Sequence, residues 1–231
     1  SEYIAGRFAQ NGAMNLDVAA AIRKFGDSPI SREIFAFEYL RAIPLLQEIA
    51  IRWLAELPPE GSDRSTLHAY LDKRLGGRSA EKVTGCALQA FKQLGKASSP
   101  KLKHYIPTWS TPPIAAFLYA LAKLCPERTM IRVEAFTGEP ILRAMLWETS
   151  SIPDLLQAAE RAGHISKISE LDQYRQFTLA SSGEERMKLL LGEMKPTVSA
   201  KKDGVDKGKG SLGSNRTKPQ SAGKQHQLEL L

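Results

Sequence analysis

Cysteine is scarce in this chain, with two residues among 231, Cys86 and Cys125. Two cysteines in separate apolar helical stretches exclude a disulfide framework. Both read as reduced structural thiols on apolar faces, as in a cytoplasmic protein. Long hydrophobic runs are missing too. No stretch reaches the roughly 18 apolar residues of a membrane-spanning helix. The first thirty residues lack the succession of basic, apolar and small residues that marks a secretory signal. His68, His104, His164 and His226 are scattered, which argues against a zinc site. The glycine-rich phosphate loops G-x-x-x-x-G-K-[ST] and G-x-G-x-x-G and the nucleophile turn G-x-S-x-G do not occur. These absences predict a protein that is not an enzyme, needs no cofactor or metal and does not enter a membrane.

Acidic side chains are outnumbered, 25 to 32. The excess is uneven. Residues 195–231 carry eight basic and three acidic side chains, and residues 1–194 carry 24 and 22. Within the body, one block stands apart. Between Lys73 and Lys103 lie Lys73, Arg74, Arg78, Lys82, Lys92, Lys96, Lys101 and Lys103 against Glu81 alone. A basic block inside an otherwise acidic body points to a polyanion site more strongly than overall charge does. The competing reading is a solvated lysine-rich face.

Apolar periodicity places the elements. Asn15 caps a helix running to about residue 24, stopped by Gly26. Ser31 opens a long apolar stripe over 32–57 with a kink or break at Pro44, serving as a core helix or a dimer face. A polar loop at 59–64 leads to a helix over 65–75. After Gly76-Gly77-Arg78, Ser79 caps a second helix over 80–94, and Gly95 terminates it. A hairpin over 96–109 turns at Ser98-Ser99-Pro100. Pro112-Pro113 precede a buried helix over 114–124, followed by a strand over 129–136. Helices over 139–148 and 152–162, a hairpin over 164–180 and a helix over 184–194 complete the body. From Lys195, Gly, Ser, Lys, Asp and Gln dominate, and the segment is predicted to be disordered.

Helix, tight break, capped helix, glycine and hairpin follow one another in the order of a winged helix-turn-helix. The second helix of such a unit enters the major groove, which is wide enough to admit it. In the helix over 80–94, Val83, Ala87, Leu88, Phe91 and Leu94 form the inward stripe. Ser79, Lys82, Gly85, Gln89 and Lys92 lie outward or at its edge. Gly85 weakens the helix and marks a candidate close approach to another backbone. Arg78, Ser79 and Lys82 stand at the helix start, where base edges and phosphates would be met. Gln89 has the amide that reads adenine, though it lies deep in the helix. Lys92, Lys96, Lys101 and Lys103 suit phosphates, the last two from the wing. Glu81 is a counter-signal.

Residues 139–180 repeat the order. Leu88-Gln89-Ala90 matches Leu156-Gln157-Ala158, and Gly95 and Gly163 follow at the same distance. In this second copy Asp154, Glu160, Glu170 and Asp172 offset Arg161, Lys167 and Arg175, which suits packing, dimerisation or protein binding. The fold class expected is thus mainly α with short β-hairpins. It comprises an N-terminal helical region (1–58), a winged-helix-like DNA-binding unit (59–111), a second such unit (112–194) and a basic tail (195–231).

Gly77-Arg78-Ser79-Ala80-Glu81-Lys82 opening a helix, Lys167-Ile168-Ser169-Glu170-Leu171 and Tyr174-Arg175-Gln176-Phe177 carry a family resemblance. On these segments the body resembles small winged-helix accessory proteins of bacterial phage-defence islands of the BREX type. The resemblance implies a cytoplasmic DNA-binding protein working beside larger enzymes and assigns no individual site residue. Two functions follow as expectations. The first is a double-stranded DNA-binding regulator or targeting subunit, with RNA a lesser variant because aromatic strand signatures are absent. The second is a helical adaptor in a homodimer or larger assembly, whose basic tail touches nucleic acid nonspecifically.

Overall fold

The computed structural model describes residues 16–171 and 174–193, with short strand pairs at 9–10 and 13–14. These residues belong to one compact unit, Ser1–Val198. The basic segment 195–231 lies outside the described residues.

The first described elements are a small antiparallel pair, β1 (Ala9–Gln10) and β2 (Ala13–Met14), in a stretch that carries no sequence signal. Helix α1 (Leu16–Phe25) stops at Gly26 as its sequence predicts. Helix α2 (Pro29–Ala42) starts earlier than predicted because Ser28, not Ser31, caps it. The Ser28 hydroxyl accepts from the Ser31 amide at 3.3 Å, and Pro29 takes a first-turn position where its missing N–H costs nothing. Pro44 breaks the stripe outright, and α3 (Pro44–Arg52) begins at it. The periodicity, read as Phe35, Tyr39, Ala42, Ile43, Leu46, Ile49, Ala50, Trp53 and Leu54, holds in its second half, where Leu46, Ile49, Ala50, Trp53 and Leu54 are buried. In α2 the buried face is instead Ile34, Ala36, Phe37 and Leu40, while Phe35, Tyr39 and Ile43 are half-buried and Ala42 is exposed, because the break at Pro44 rotates the two helices' faces independently.

Two structural segments then follow with related plans, each a strand, a run of helices and a hairpin, the second carrying one helix more than the first. The first is β3 (Ser62–Asp63), α4 (Arg64–Leu75), α5 (Gly77–Gln93), β4 (Ala97–Lys101) and β5 (His104–Pro107). Its antiparallel sheet has the order β3-β5-β4, with Ser62 opposite Tyr105 and Ser98 opposite Ile106. The second is β6 (Met130–Arg132), the short helices α7 (Val133–Thr137) and α8 (Pro140–Ala144), α9 (Ile152–Arg161), β7 (Ile165–Leu171) and β8 (Tyr174–Leu179). Its sheet has the matching order β6-β8-β7. The molecule is therefore mainly helical, with two small three-stranded antiparallel sheets.

The two segments end their long helices identically. The Gly95 amide donates to Lys92 and the Lys96 amide to Phe91, at 3.1 and 2.8 Å. The Gly163 amide donates to Glu160 and the His164 amide to Ala159, at 3.0 and 2.9 Å. Both glycines have positive φ, 69° and 79°, which this double-bonded helix stop requires. The spacing matched in the sequence is thus a shared backbone geometry.

Further details depart from expectation. The helix expected over 139–148 spans only Pro140–Ala144. Ser79 does not cap α5, which starts two residues before it; Asp72 instead accepts the Gly77 amide at 2.8 Å. The first hairpin turns at Leu102-Lys103, since Lys101 pairs with His104, while Ser98-Ser99-Pro100 lie inside an irregular β4. The strand expected over 129–136 ends at Arg132 and becomes α7.

Helix α6 (Ile114–Leu124) is apolar nearly all round and buried from Ala116 to Ala122, as its composition predicts. Phe117 packs edge-on to Phe136 at 5.8 Å, and Phe136 to Phe177 at 5.8 Å, tying α6 to the second sheet. Helix α10 (Gly183–Leu191) closes the core. Its fully buried Arg186 donates to the carbonyls of Leu121, Cys125 and Ser182, meeting the orphan acceptors at the end of α6. Among the described residues, no helix is long and apolar enough to cross a membrane.

Candidate nucleic-acid interface

The predicted site residues fall mainly at the N-terminus of α5 and on the β4–β5 hairpin. Gly76, with φ at 73°, turns the chain sharply between α4 and α5. Arg78, Ser79 and Lys82 are exposed in the first turns of α5. Lys101 and Lys103 are exposed at the hairpin tip. Arg64, at the start of α4, connects the two. Its amide donates to the Lys103 carbonyl at 2.8 Å, and its guanidinium pairs with Glu81 of α5. His68 also faces Glu81, at 3.5 Å. The counter-signal in the sequence is thereby matched by a cation from α4, a pairing between residues 17 positions apart that no local pattern reveals.

Lys103 adopts φ of 60°. A left-handed residue other than Gly costs about 1–2 kcal/mol, so the turn places a lysine where glycine or asparagine would be cheaper. The tip end of the hairpin is pinned by His104, whose Nδ1 lies 2.9 Å from Asp63 and Nε2 2.7 Å from the Glu60 carbonyl. Both neighbours are acceptors, so both ring nitrogens donate in the protonated form. The Glu60 carbonyl first, then Asp63, hold the His104 pKa above its ordinary value.

The remaining predicted residues fall elsewhere. Gln89 and Lys92 are exposed but far along α5; eleven and fourteen residues beyond Arg78 correspond to about 16 and 21 Å at the helical rise. Lys96 is not a phosphate contact. It is 1% exposed, and its ammonium meets both Glu33 carboxylate oxygens at 2.8 Å. Burial lowers its pKa, and Glu33 opposes that shift by stabilising the charge. Trp147 donates to the same carboxylate at 2.9 Å. Lys96 therefore joins α2, the first hairpin and the loop after α8. The sequence misread it because a lysine in a basic run looks solvated, and its partner lies 63 residues away.

Of the other basic residues, Arg74 pairs with Glu48. Lys73, Arg78, Lys82, Lys92, Lys101 and Lys103 are exposed and make no ion pair among the described residues. The predicted inward stripe of α5 is largely observed: Ala87, Leu88, Phe91 and Leu94 are buried, Val83 is half-buried, and Thr84 joins the core. Gly85 does not meet another backbone. A Cβ there would approach only Arg64 Nη2, at 3.7 Å.

Beside this surface, an apolar trough of about 250 Å³ separates α2 and α3 from α5, lined by Tyr39, Ile43, Leu45, Val83, Cys86 and Ala90 among others. Cys86 is exposed there rather than packed away. Cys125 is buried, and burial pushes its thiol up to about 11. Among the described residues, no three His, Cys, Asp or Glu side chains converge to hold a metal ion.

No protein-family model matches the sequence, and no curated protein matches it. The fold is similar to a solved structure described as an SspB crystal structure, with a TM-score of 0.54 at 14% identity. The similarity covers 73% of this chain and 61% of that one, so the chain spans less than two thirds of its neighbour's length. At that identity the likeness concerns the fold alone.

Proposed function

We propose that the protein is a non-enzymatic double-stranded DNA-binding protein that uses its first strand–helix–helix–hairpin segment. The observation that carries this reading is the gathering of exposed, unpaired Arg78, Lys82, Lys101 and Lys103 on either side of Arg64, with Glu81 already matched. Two sheets of the same order, each with its first strand beside its last, support reading both segments as winged helix-turn-helix-like units. In this reading α5 lies at the major groove, the hairpin is the wing, and the lysines contact phosphates. Residues 1–58 support the first unit, and residues 195–231 add nonspecific attraction. The protein acts in the cytoplasm as a regulator or targeting subunit of a larger bacterial assembly, of the phage-defence kind that its sequence resembles, without a cofactor.

Fluorescence anisotropy with duplex DNA at several salt concentrations tests this. The variant with Arg78, Lys82, Lys101 and Lys103 all changed to Ala is expected to bind on the order of 100-fold more weakly and to lose about four from the salt slope. Wild-type affinity in that variant rejects the reading. The apolar trough favours a second reading, a helical adaptor for another protein or a second copy. Sedimentation of the DNA-free protein as a strict monomer, together with salt-sensitive duplex binding by a chain ending at Met194, rejects that alternative.

A further inference from the structure

The hairpin tip carries a leucine with no structural duty. Leu102 is 91% exposed, more than any other large apolar residue described. It sits between Lys101 and Lys103, in a turn held by the Arg64 amide on the Lys103 carbonyl and the Ser99 hydroxyl on the Lys101 carbonyl, at 2.8 and 3.1 Å. The unfavourable backbone of Lys103 keeps a cation at the turn itself. An apolar side chain projecting between two unpaired cations suits neither solvent nor another protein's apolar surface, which the lysines would have to desolvate to reach. It suits a surface that offers phosphates on both sides of an apolar slot. The minor groove of duplex DNA is such a surface, because its base pairs present stacked apolar faces once a step opens.

We propose that Leu102 is a wedge: it enters the minor groove and unstacks a base step, kinking the duplex, while Lys101 and Lys103 hold the flanking phosphates. The protein then bends DNA as well as binding it. Pyrimidine–purine steps, which unstack most easily, are the preferred sites. This inference rests on the duplex-binding reading above and adds a deformation that phosphate contact alone does not supply.

The test is ligase-catalysed cyclisation of a duplex of about 120 base pairs, shorter than the persistence length of about 150, with binding followed by anisotropy in the same buffer. The full chain is expected to raise circle yield about tenfold over bare DNA. Leu102→Ala is expected to lose that gain while affinity falls only about threefold, and Leu102→Met is expected to keep it. Lys101→Ala with Lys103→Ala should instead lose affinity and about two from the salt slope. Wild-type protein that saturates the duplex without promoting circles overturns the wedge and leaves duplex binding standing. Undiminished cyclisation by Leu102→Ala does the same. If Leu102→Ala changes the sedimentation of DNA-free protein and not DNA bending, the tip is a self-contact and the wedge is wrong. Absence of any duplex binding overturns the wedge together with the reading beneath it.

Discussion

The two segments that end in a hairpin place a buried polar residue at the same point, one residue past the glycine that ends the long helix. In the first it is Lys96 and in the second His164, 1% and 3% exposed. The backbone bonds around them match, yet the solutions are opposite. Lys96 keeps its charge within reach of Glu33, which Trp147 also holds. His164 is neutral: burial, then the Arg186 guanidinium, push its pKa down to about 4, and its Nδ1 has no hydrogen-bond partner among the described residues. The contrast extends to the surface. Where α5 exposes Lys92, the equivalent position of α9 is Glu160, whose carboxylate accepts the Ile168 amide at 3.1 Å. Where the first hairpin exposes unpaired lysines, Arg175 of the second is matched to Glu170 at 2.8 Å. Related backbone plans thus carry one surface with exposed, unpaired lysines and another on which Glu160 and Glu170 are engaged by an amide and an arginine of the same segment.

Breaking the Lys96 pair should show the largest effect on stability. Glu33→Ala strands a buried ammonium and is expected to cost about 3–5 kcal/mol, read from urea denaturation midpoints. Lys96→Met combined with Glu33→Gln makes the first segment neutral like the second, and most of that loss should return. If the single change costs less than about 1 kcal/mol, the pair is not a structural clasp.

His164 should dominate the acid side of the stability curve. Its folded pKa of about 4 lies below the ordinary 6.5, so the unfolded chain takes up the proton first. The stability it contributes is complete above 6.5 and falls away as pH drops towards 4. The loss is about 3 kcal/mol at 1.36 kcal/mol per pH unit of difference. His164→Leu should remove that part of the slope, and an unchanged slope would assign the acid sensitivity to other groups.

Gly85→Ala tests the outward face of α5. The new methyl meets only Arg64 at ordinary distance, so the helix should gain about 1 kcal/mol, seen as a higher melting temperature. A variant that is stabilised yet binds duplex more weakly would locate a DNA backbone at that position.

His104 gives the smallest effect and the opposite sign from His164. Its folded pKa is raised, so its contribution is complete below the ordinary 6.5 and is lost as pH rises through the folded value. A proton-resolved NMR titration should place it above 6.5; a value at or below 6.5 would mean the two acceptor contacts do not persist in solution.

Local patterns carried well into the structure where a single element decided the outcome. The end of α1 at Gly26, the break at Pro44, the buried run of α6 and the inward stripe of α5 were all legible, because glycine, proline and helical spacing act within a few residues. Legibility failed where the partner was distant. Strand β3 has two residues and exists only because β5 pairs with it, so no periodicity could announce it. The hairpin turn moved from Ser98-Ser99-Pro100 to Leu102-Lys103 because pairing register, not turn propensity, chose it. Of the predicted site, Arg78, Ser79, Lys82, Lys101 and Lys103 are exposed beside one another's elements, Gln89 and Lys92 lie further along the helix, and Lys96 is removed to the core.

The sequence by itself determined the helix stops at Gly26, Gly95 and Gly163, the break at Pro44 and that positive charge is concentrated between residues 73 and 103, since these depend on backbone freedom, side-chain spacing and composition. Only the tertiary structure decided which of those charges remain available. Glu33 and Glu48 take Lys96 and Arg74 from the block across separate elements, while Arg64 from outside it matches Glu81, and Coulomb attraction acts on distance in space rather than along the chain.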